Sequence, residues 1–159
     1  TDYKIYLSTR LGLWSKSFIN KPNTNELKII NCNDKKQQGI LNAFFNSSTF
    51  YFLWILLSDC WHITSNDILN INFNYDALTE DEQLKLYNLA FKLERDLEKN
   101  KKYVGSKQVE YEYKHKYSKK IIDEIDKLIA KAYGLSQEEV NYIINFAYKY
   151  RMNDVAEEE

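Results

Sequence analysis

Glycine and proline are nearly missing from this chain of 159 residues, which has four of the first and one of the second. Gly12, Gly39, Gly105 and Gly134 stand far apart, which excludes a Gly-x-Gly dinucleotide fingerprint and a Walker A phosphate loop. The lone Pro22 excludes an Asn-Pro-Pro-Tyr type catalytic tetrapeptide, and both scarcities argue against a collagen-like, loop-rich or disordered chain. Two cysteines, Cys32 and Cys60, make neither a disulfide framework nor a Cys-x-x-Cys pair. Free thiols in a reducing cytosol, and hence a cytoplasmic protein, are expected. His62 and His115 are the only histidines. Cys60-Trp61-His62 sets a thiol two residues from an imidazole, but no second such pair completes a metal's four ligands. A small buried thiol beside a partly exposed imidazole is the plainer reading of that pair, against either a metal or a nucleophile. Asp59 with Asp67 lacks the Asp/Glu-x-Lys companion of a Mg²⁺ nuclease. Asp123/Glu124 and Glu138/Glu139 fall in helix N-terminal turns, where the macrodipole accounts for them. No catalytic site, metal or cofactor is expected in this chain.

Long apolar runs are missing too. The longest in the core stretch, Phe50 to Leu57, is far short of the ~20 residues of a membrane span, and no signal peptide is visible. No membrane partner is expected. The chain starts at Thr1, and its one methionine is Met152. It is therefore expected to be a piece of a longer protein.

Apolar side chains supply 44% of the residues and aromatic ones 15%, enough for a proper core. The length suits one domain, or one domain with a helical extension. The organising stretch runs from Gly39 to Phe73, and its first part reads as a helix buried nearly all round from Phe50 to Leu57. The polar Asn46-Ser47-Ser48 interrupts it, and Ser58-Asp59 stops it.

Ahead of that helix, residues 3–7, 13–19 and 27–31 read as three short strands, with a polar turn from Asn20 to Asn25 around Pro22. Asp34 is a candidate N-cap for a helix over 35–57. Ile68 to Phe73 alternates like a short strand. Thr79 and Glu82 have capping-box spacing, and Leu84, Leu86, Tyr87, Leu89, Ala90, Leu93 and Leu97 form one helical stripe to about Lys99. Val109 to Tyr117 alternates like a strand or an extended arm. Ser118 is a candidate cap for a helix over 119–133, ended by Gly134. Ser136 and Glu139 open a last helix carrying Val140, Ile143, Ile144, Ala147 and Tyr148. The predicted fold class is α+β: a small N-terminal β-sheet with a buried helix (1–78), followed by a mainly helical C-terminal half (79–159).

Net charge is −1, unevenly spread. Residues 1–82 carry 7 basic and 9 acidic side chains, residues 83–120 carry 11 and 5, and residues 121–159 carry 4 and 9. The central basic block is compatible with a local phosphate-contacting face or with a solvated surface, but not with a general polyanion binder.

Two stretches go beyond composition. Asn46-Ser47-Ser48, then Tyr51, then Ser58-Asp59-Cys60-Trp61-His62-Ile63-Thr64 and Asp67-Ile68, resembles the "NSS…YW…SDGRHL…DI" region of adenine-specific DNA methyltransferases. These belong to bacterial type II restriction–modification systems of the fused restriction–methylation kind. The tail from Ile121 to Glu139, with Tyr148-Lys149-Tyr150-Arg151-Met152, is similar to the C-terminus of the same family. The resemblance spans about 39–152. Trp61 stands where the family usually has Arg, and Ile63 and Thr64 replace its common Leu and Asn.

What the resemblance implies is a non-catalytic, C-terminal target recognition domain. Its partners would be double-stranded DNA and an N-terminal methyltransferase domain of the same polypeptide. That domain, not this chain, would bind S-adenosylmethionine and methylate a flipped adenine. Lys and Arg would position the phosphates while polar loop side chains read base edges. The DNA-binding candidates are Arg10, Lys16, Asn20, Lys21, Asn23, Asn25, His62, Thr64, Ser65, Asn66 and Arg151. Turn chemistry is the competing account of residues 62–66, and a packed C-terminal anchor that of Arg151. The alternative function is a helical module that docks on the parent's catalytic domain or on another subunit.

Overall fold

Ile5 and Leu7 alternate with Lys4, Tyr6 and Ser8, and this period of two turns the apolar pair to one face of a strand. In the computed structural model, which describes residues 2–107 and 109–152, that strand is β1 (Lys4–Ser8) and both apolar side chains are fully buried. It lies between β2 (Ser17–Phe18) and β3 (Leu27–Asn31), antiparallel to each, with Tyr6 opposite Phe18 on one side and Ile29 on the other. Only two of residues 13–19 pair as a strand, so the expected second strand shrinks to its end.

The expected single helix over 35–57 is two. Helix α1 (Lys35–Asn46) starts at Asp34, whose carboxylate accepts from Gln37 N at 2.7 Å. Ser47 leaves helical geometry and caps α2 (Ser48–Leu57), and the two axes bend by 63°. Burial of α2 is also less complete than expected. Phe50, Tyr51 and Trp54 face the core, whereas Leu56 and Leu57 are 61% and 63% exposed. Among the described residues no single helix is long and apolar enough to cross a membrane.

Ile68–Phe73 is not a strand. Thr64 and Asp67 form a reciprocal capping box, and α3 (Ser65–Asn70) follows from it. Cap chemistry outweighs a six-residue alternation that has no neighbouring strand to pair with. The capping box of Thr79 and Glu82 opens α4 (Glu80–Asn100), which buries Leu86, Leu89, Ala90, Leu93 and Leu97 while Leu84 points outward. Helices α1 and α4 pack closely at Gly39, where a Cβ would lie 2.6 Å from the Tyr87 ring.

The alternating arm over 109–117 is mostly not strand. Only β5 (Tyr111–Glu112) pairs, with β4 (Lys102–Tyr103), and a 3₁₀ turn at His115–Ser118 leads into α5 (Lys119–Tyr133). Ser118 does not cap α5, because its hydroxyl donates instead to Asp96 at 2.6 Å. Gly134, at φ +69°, closes α5 in the left-handed region as expected. Helix α6 (Gln137–Asn145) has its Ser136–Glu139 box, then stops short of the expected Ala147 and Tyr148. Ala147 itself adopts φ +51°, and α7 (Tyr148–Arg151) follows.

One aromatic cluster joins the N-terminal and helical parts. Phe44 stacks on Phe73 at 4.6 Å between ring centroids and meets Phe45 and Phe50 edge-on or tilted. The hydrophobic core runs unbroken from Ile5 to Ile129. A buried carboxylate completes the junction. Asp126 of α5 accepts from Ser48 N, Thr49 N and Thr49 Oγ1 at 3.1, 2.8 and 2.8 Å, at the positive end of α2. Burial pushes its pKa up to about 6, against the pull of those hydrogen bonds.

Candidate functional site

The β1–β2 loop, residues 9–16, is where the predicted residues begin to converge. It is held by its own carbonyls: Thr9 O accepts from Ile63 N at 3.1 Å, Gly12 O from the Tyr51 hydroxyl at 3.0 Å, and Leu13 O from Arg151 Nε at 2.9 Å. Gly12 sits at φ +59° with open space where a Cβ would stand, so backbone conformation alone requires glycine there. A loop pinned this way presents its side chains rigidly.

A cleft of about 650 Å³ opens on one side of the loop, between Arg10–Gly12, the α2 residues Tyr51, Trp54 and Ile55, and Cys60–His62. Trp61 stands at its rim, 77% exposed, with the His62 ring edge-on at 5.7 Å. Arg10 pairs with Glu26 at 3.0 Å, an exposed contact that a competing anion can replace at little cost. The Ile63–Thr9 hydrogen bond fastens the segment after Trp61 to the loop; of residues 62–66, His62 lines the cleft. Ser65 and Asn66 are exposed, and the Lys28 ammonium donates to Ser65 Oγ at 3.2 Å. Thr64 is committed to its capping box, which is the turn chemistry weighed against a reading role.

A smaller cleft, about 190 Å³, lies on the other side of the same loop. Leu11 and Gly12 line both clefts, and the smaller is closed by Lys16, Glu112–Lys116 and Arg151. Lys16 is largely buried. Burial lowers its pKa, with Lys114 lowering it further and Glu112 opposing. His115 is fully buried, and Nε2 bonds Asn46 Oδ1 at 2.9 Å. That oxygen also accepts from Ser17 N, so the ring donates through Nε2. Burial, then the Lys16 charge, holds its pKa well below the ordinary histidine value, and the ring is neutral. Its buried Nδ1 completes no hydrogen bond, although the Tyr113 backbone lies near enough to favour the charged ring.

Arg151 is not a free phosphate contact. It is 3% exposed, its guanidinium lies 3.8 Å from the Trp14 ring centroid, and it donates to Leu13 O and Ser48 Oγ. The packed-anchor account is the correct one. Asn20, Lys21, Asn23 and Asn25 are exposed on the β2–β3 loop and line neither cleft; Asn20 N donates to the buried Glu94 carboxylate at 3.0 Å. Sequence reasoning missed Tyr51, Trp54 and Trp61 as cleft walls and Lys114–Lys116 as neighbours of Lys16. The basic block was the signal for the latter. Asn46, Ser47 and Ser48 are buried and bonded within the fold.

Among the described residues no group of three or more His, Cys, Asp and Glu side chains comes together to hold a metal. In comparisons with known proteins, the chain matches no family model, no curated protein and no solved structure.

Proposed function

We propose that this chain is a non-catalytic DNA target recognition domain, part of an adenine-specific DNA methyltransferase or restriction enzyme whose catalytic domain binds S-adenosylmethionine. The observation that supports the reading is that Arg10 and His62 line one cleft with the exposed Trp61 at its rim, and that the exposed Ser65 and Asn66 follow a few residues along the chain. Arg10 exchanges Glu26 for a phosphate oxygen, and Ser65 and Asn66 offer donors and acceptors of the kind that read base edges. The Trp61 indole enters a base step that is unstacked, or the gap beside a flipped adenine. Trp14 and Trp54 are buried, Trp54 in the wall of this cleft, so Trp61 is the tryptophan that a ligand at the rim meets first. Duplex DNA is expected to quench that emission in the wild type, with the change lost in Trp61→Phe. Quenching that persists in the variant would place DNA elsewhere.

A second reading has its own observation. Leu56 and Leu57 at the end of α2 and Leu69 on α3 are all exposed, and an apolar pocket of about 390 Å³ lies between Phe52 and Leu53 of α2 and Tyr142 and Ile143 of α6. Exposed apolar groups of this size favour docking on the parent's methyltransferase domain or another subunit. Both readings hold together if the β1–β2 loop with the Tyr51–Trp54 face of α2 meets DNA and the Phe52–Leu53 face of α2 with α6 meets protein.

A further inference from the structure

We propose that the apolar pocket between α2 and α6 binds a small organic cation, an apolar or aromatic body that ends in an ammonium group. Its walls are Phe52 and Leu53 of α2, Tyr133 at the end of α5, and Tyr142 and Ile143 of α6. The Phe52 and Tyr142 rings stand nearly at right angles, 79° apart with centroids at 5.8 Å, so they form two adjoining walls. Aromatic walls suit a cation, because the face of each ring carries negative charge density. Glu138 and Glu139 line the same pocket, and among the described residues no Lys or Arg does. Glu139 is fixed by its capping box, and the Ser136 hydrogen bonds hold its carboxyl below the ordinary range, so it stays ionised. Glu138 beside it is exposed. The positive end of α6 offsets part of this charge, so the rings supply the rest of the attraction.

The hydrogen bonds already made in the lining decide where the polar end of the ligand goes. Thr49, buried, commits both its amide and its hydroxyl to Asp126. The Tyr133 hydroxyl donates to Asn72 O, and burial pushes its pKa up to about 12, so it stays a neutral phenol. Of the polar side chains in the lining, the two carboxylates and the Tyr142 hydroxyl remain, and ionised carboxylates only accept. A ligand therefore lays its apolar body against the rings and turns a positively charged donor to Glu138 and Glu139. A polyol finds too few partners there, and an anion is repelled. At about 390 Å³ the pocket lies in the range of small-molecule sites and exceeds what one lysine side chain fills, which favours a free amine over a partner's lysine. The inference goes beyond the docking reading, which has Leu56, Leu57 and Leu69 outside this pocket to stand on.

The test is a titration of the whole chain with phenethylammonium, followed by amide NMR shifts at pH 7 and constant ionic strength. Phenethyl alcohol and hydrocinnamate, of similar shape, are the neutral and anionic comparisons. Saturable shifts centred on residues 49–53 and 133–143 are expected, with the ammonium bound about fivefold tighter than the alcohol and the carboxylate weakest. Glu138→Gln together with Glu139→Gln, which keeps a glutamine at the capping-box position, is expected to weaken the ammonium about tenfold and leave the alcohol within about twofold. Tyr142→Leu keeps an apolar wall without its ring, at an exposed position, and is expected to weaken the ammonium about threefold more than the alcohol. It decides the matter even if the paired substitution disturbs α6. An alcohol that binds as tightly as the ammonium, an ammonium affinity that neither change lowers, or shifts elsewhere in the fold would overturn the proposal. Absence of binding by all three probes would also overturn it, and would leave the docking reading standing on Leu56, Leu57 and Leu69.

Discussion

Asp126 is expected to make stability depend on pH in an unusual direction. Its carboxyl titrates near 6 in the folded chain against 3.8 for an ordinary aspartate, because burial outweighs three hydrogen bonds. The folded state therefore takes up the proton first on acidification. The group's favourable contribution is complete below about pH 4 and is lost as pH rises to about 6, the reverse of a salt-bridged carboxylate. A shift of roughly two units corresponds to about 3 kcal/mol across that window. Other groups titrate there as well, so the measurement is a difference: urea unfolding of the wild type and of Asp126→Asn at pH 7 and pH 4. The wild type should gain about 3 kcal/mol relative to the variant on going to pH 4. Asp126→Ala at pH 7 should lower stability by about 2–4 kcal/mol, since Ser48 N and Thr49 N lose their acceptor inside the protein. A wild-type-minus-Asn difference that is flat between the two pH values would refute the argument that burial dominates at this carboxylate.

Three further substitutions probe other parts of the fold. Gly39→Ala places a methyl 2.6 Å from the Tyr87 ring, and overpacking of about 1–3 kcal/mol should exceed the helix-propensity gain of at most about 1; a rise in urea midpoint would contradict this. Ala147→Gly relieves a left-handed alanine at φ +51° and should stabilise by up to about 1 kcal/mol, measured as a higher midpoint with unchanged slope. Trp61→Ala removes an indole that is 77% exposed, so stability should stay within about 0.5 kcal/mol while DNA affinity falls at least fivefold; a large loss of stability would mean the indole holds the fold rather than the ligand.

Much of the fold was legible because helix signals are local. Asp34, Thr79–Glu82 and Ser136–Glu139 each placed a helix start within a residue, and Gly134 placed an end. Misreadings arose where a distant partner decided the outcome. Ser118 looked like a cap, but Asp96, 22 residues away, takes its hydroxyl. The break at Ser47 became two capped helices because Asp126, 78 residues from Ser48, satisfies the freed backbone donors. Residues 68–73 alternated like a strand, yet Thr64 and Asp67 had already committed the segment to a helix.

The candidate site was legible in part for the same reason. His62, Ser65 and Asn66 lie close in sequence to one another, and one hydrogen bond from Ile63 to Thr9 brings Arg10 to the cleft that His62 lines. The smaller cleft assembles residues 16, 112–116 and 151, and no spacing rule connects segments so far apart. For Arg151 the sequence left a phosphate contact and a packed anchor both open, because the enclosing Trp14 ring and Leu13 carbonyl lie more than a hundred residues away.

The central proposal, that this chain grips DNA at the cleft beside the β1–β2 loop, is tested most directly by the salt dependence of duplex binding. Fluorescence anisotropy of a labelled random-sequence duplex, titrated at about 50 and about 200 mM salt, reports the phosphate contacts as a slope. Binding that weakens steeply with salt, and whose slope becomes shallower by about one for each of Arg10→Ala and Lys16→Ala, is the predicted result. No binding at the lower salt, or binding that neither substitution alters, would contradict the account and leave the apolar surface on α2 and α6 as the working face of the molecule.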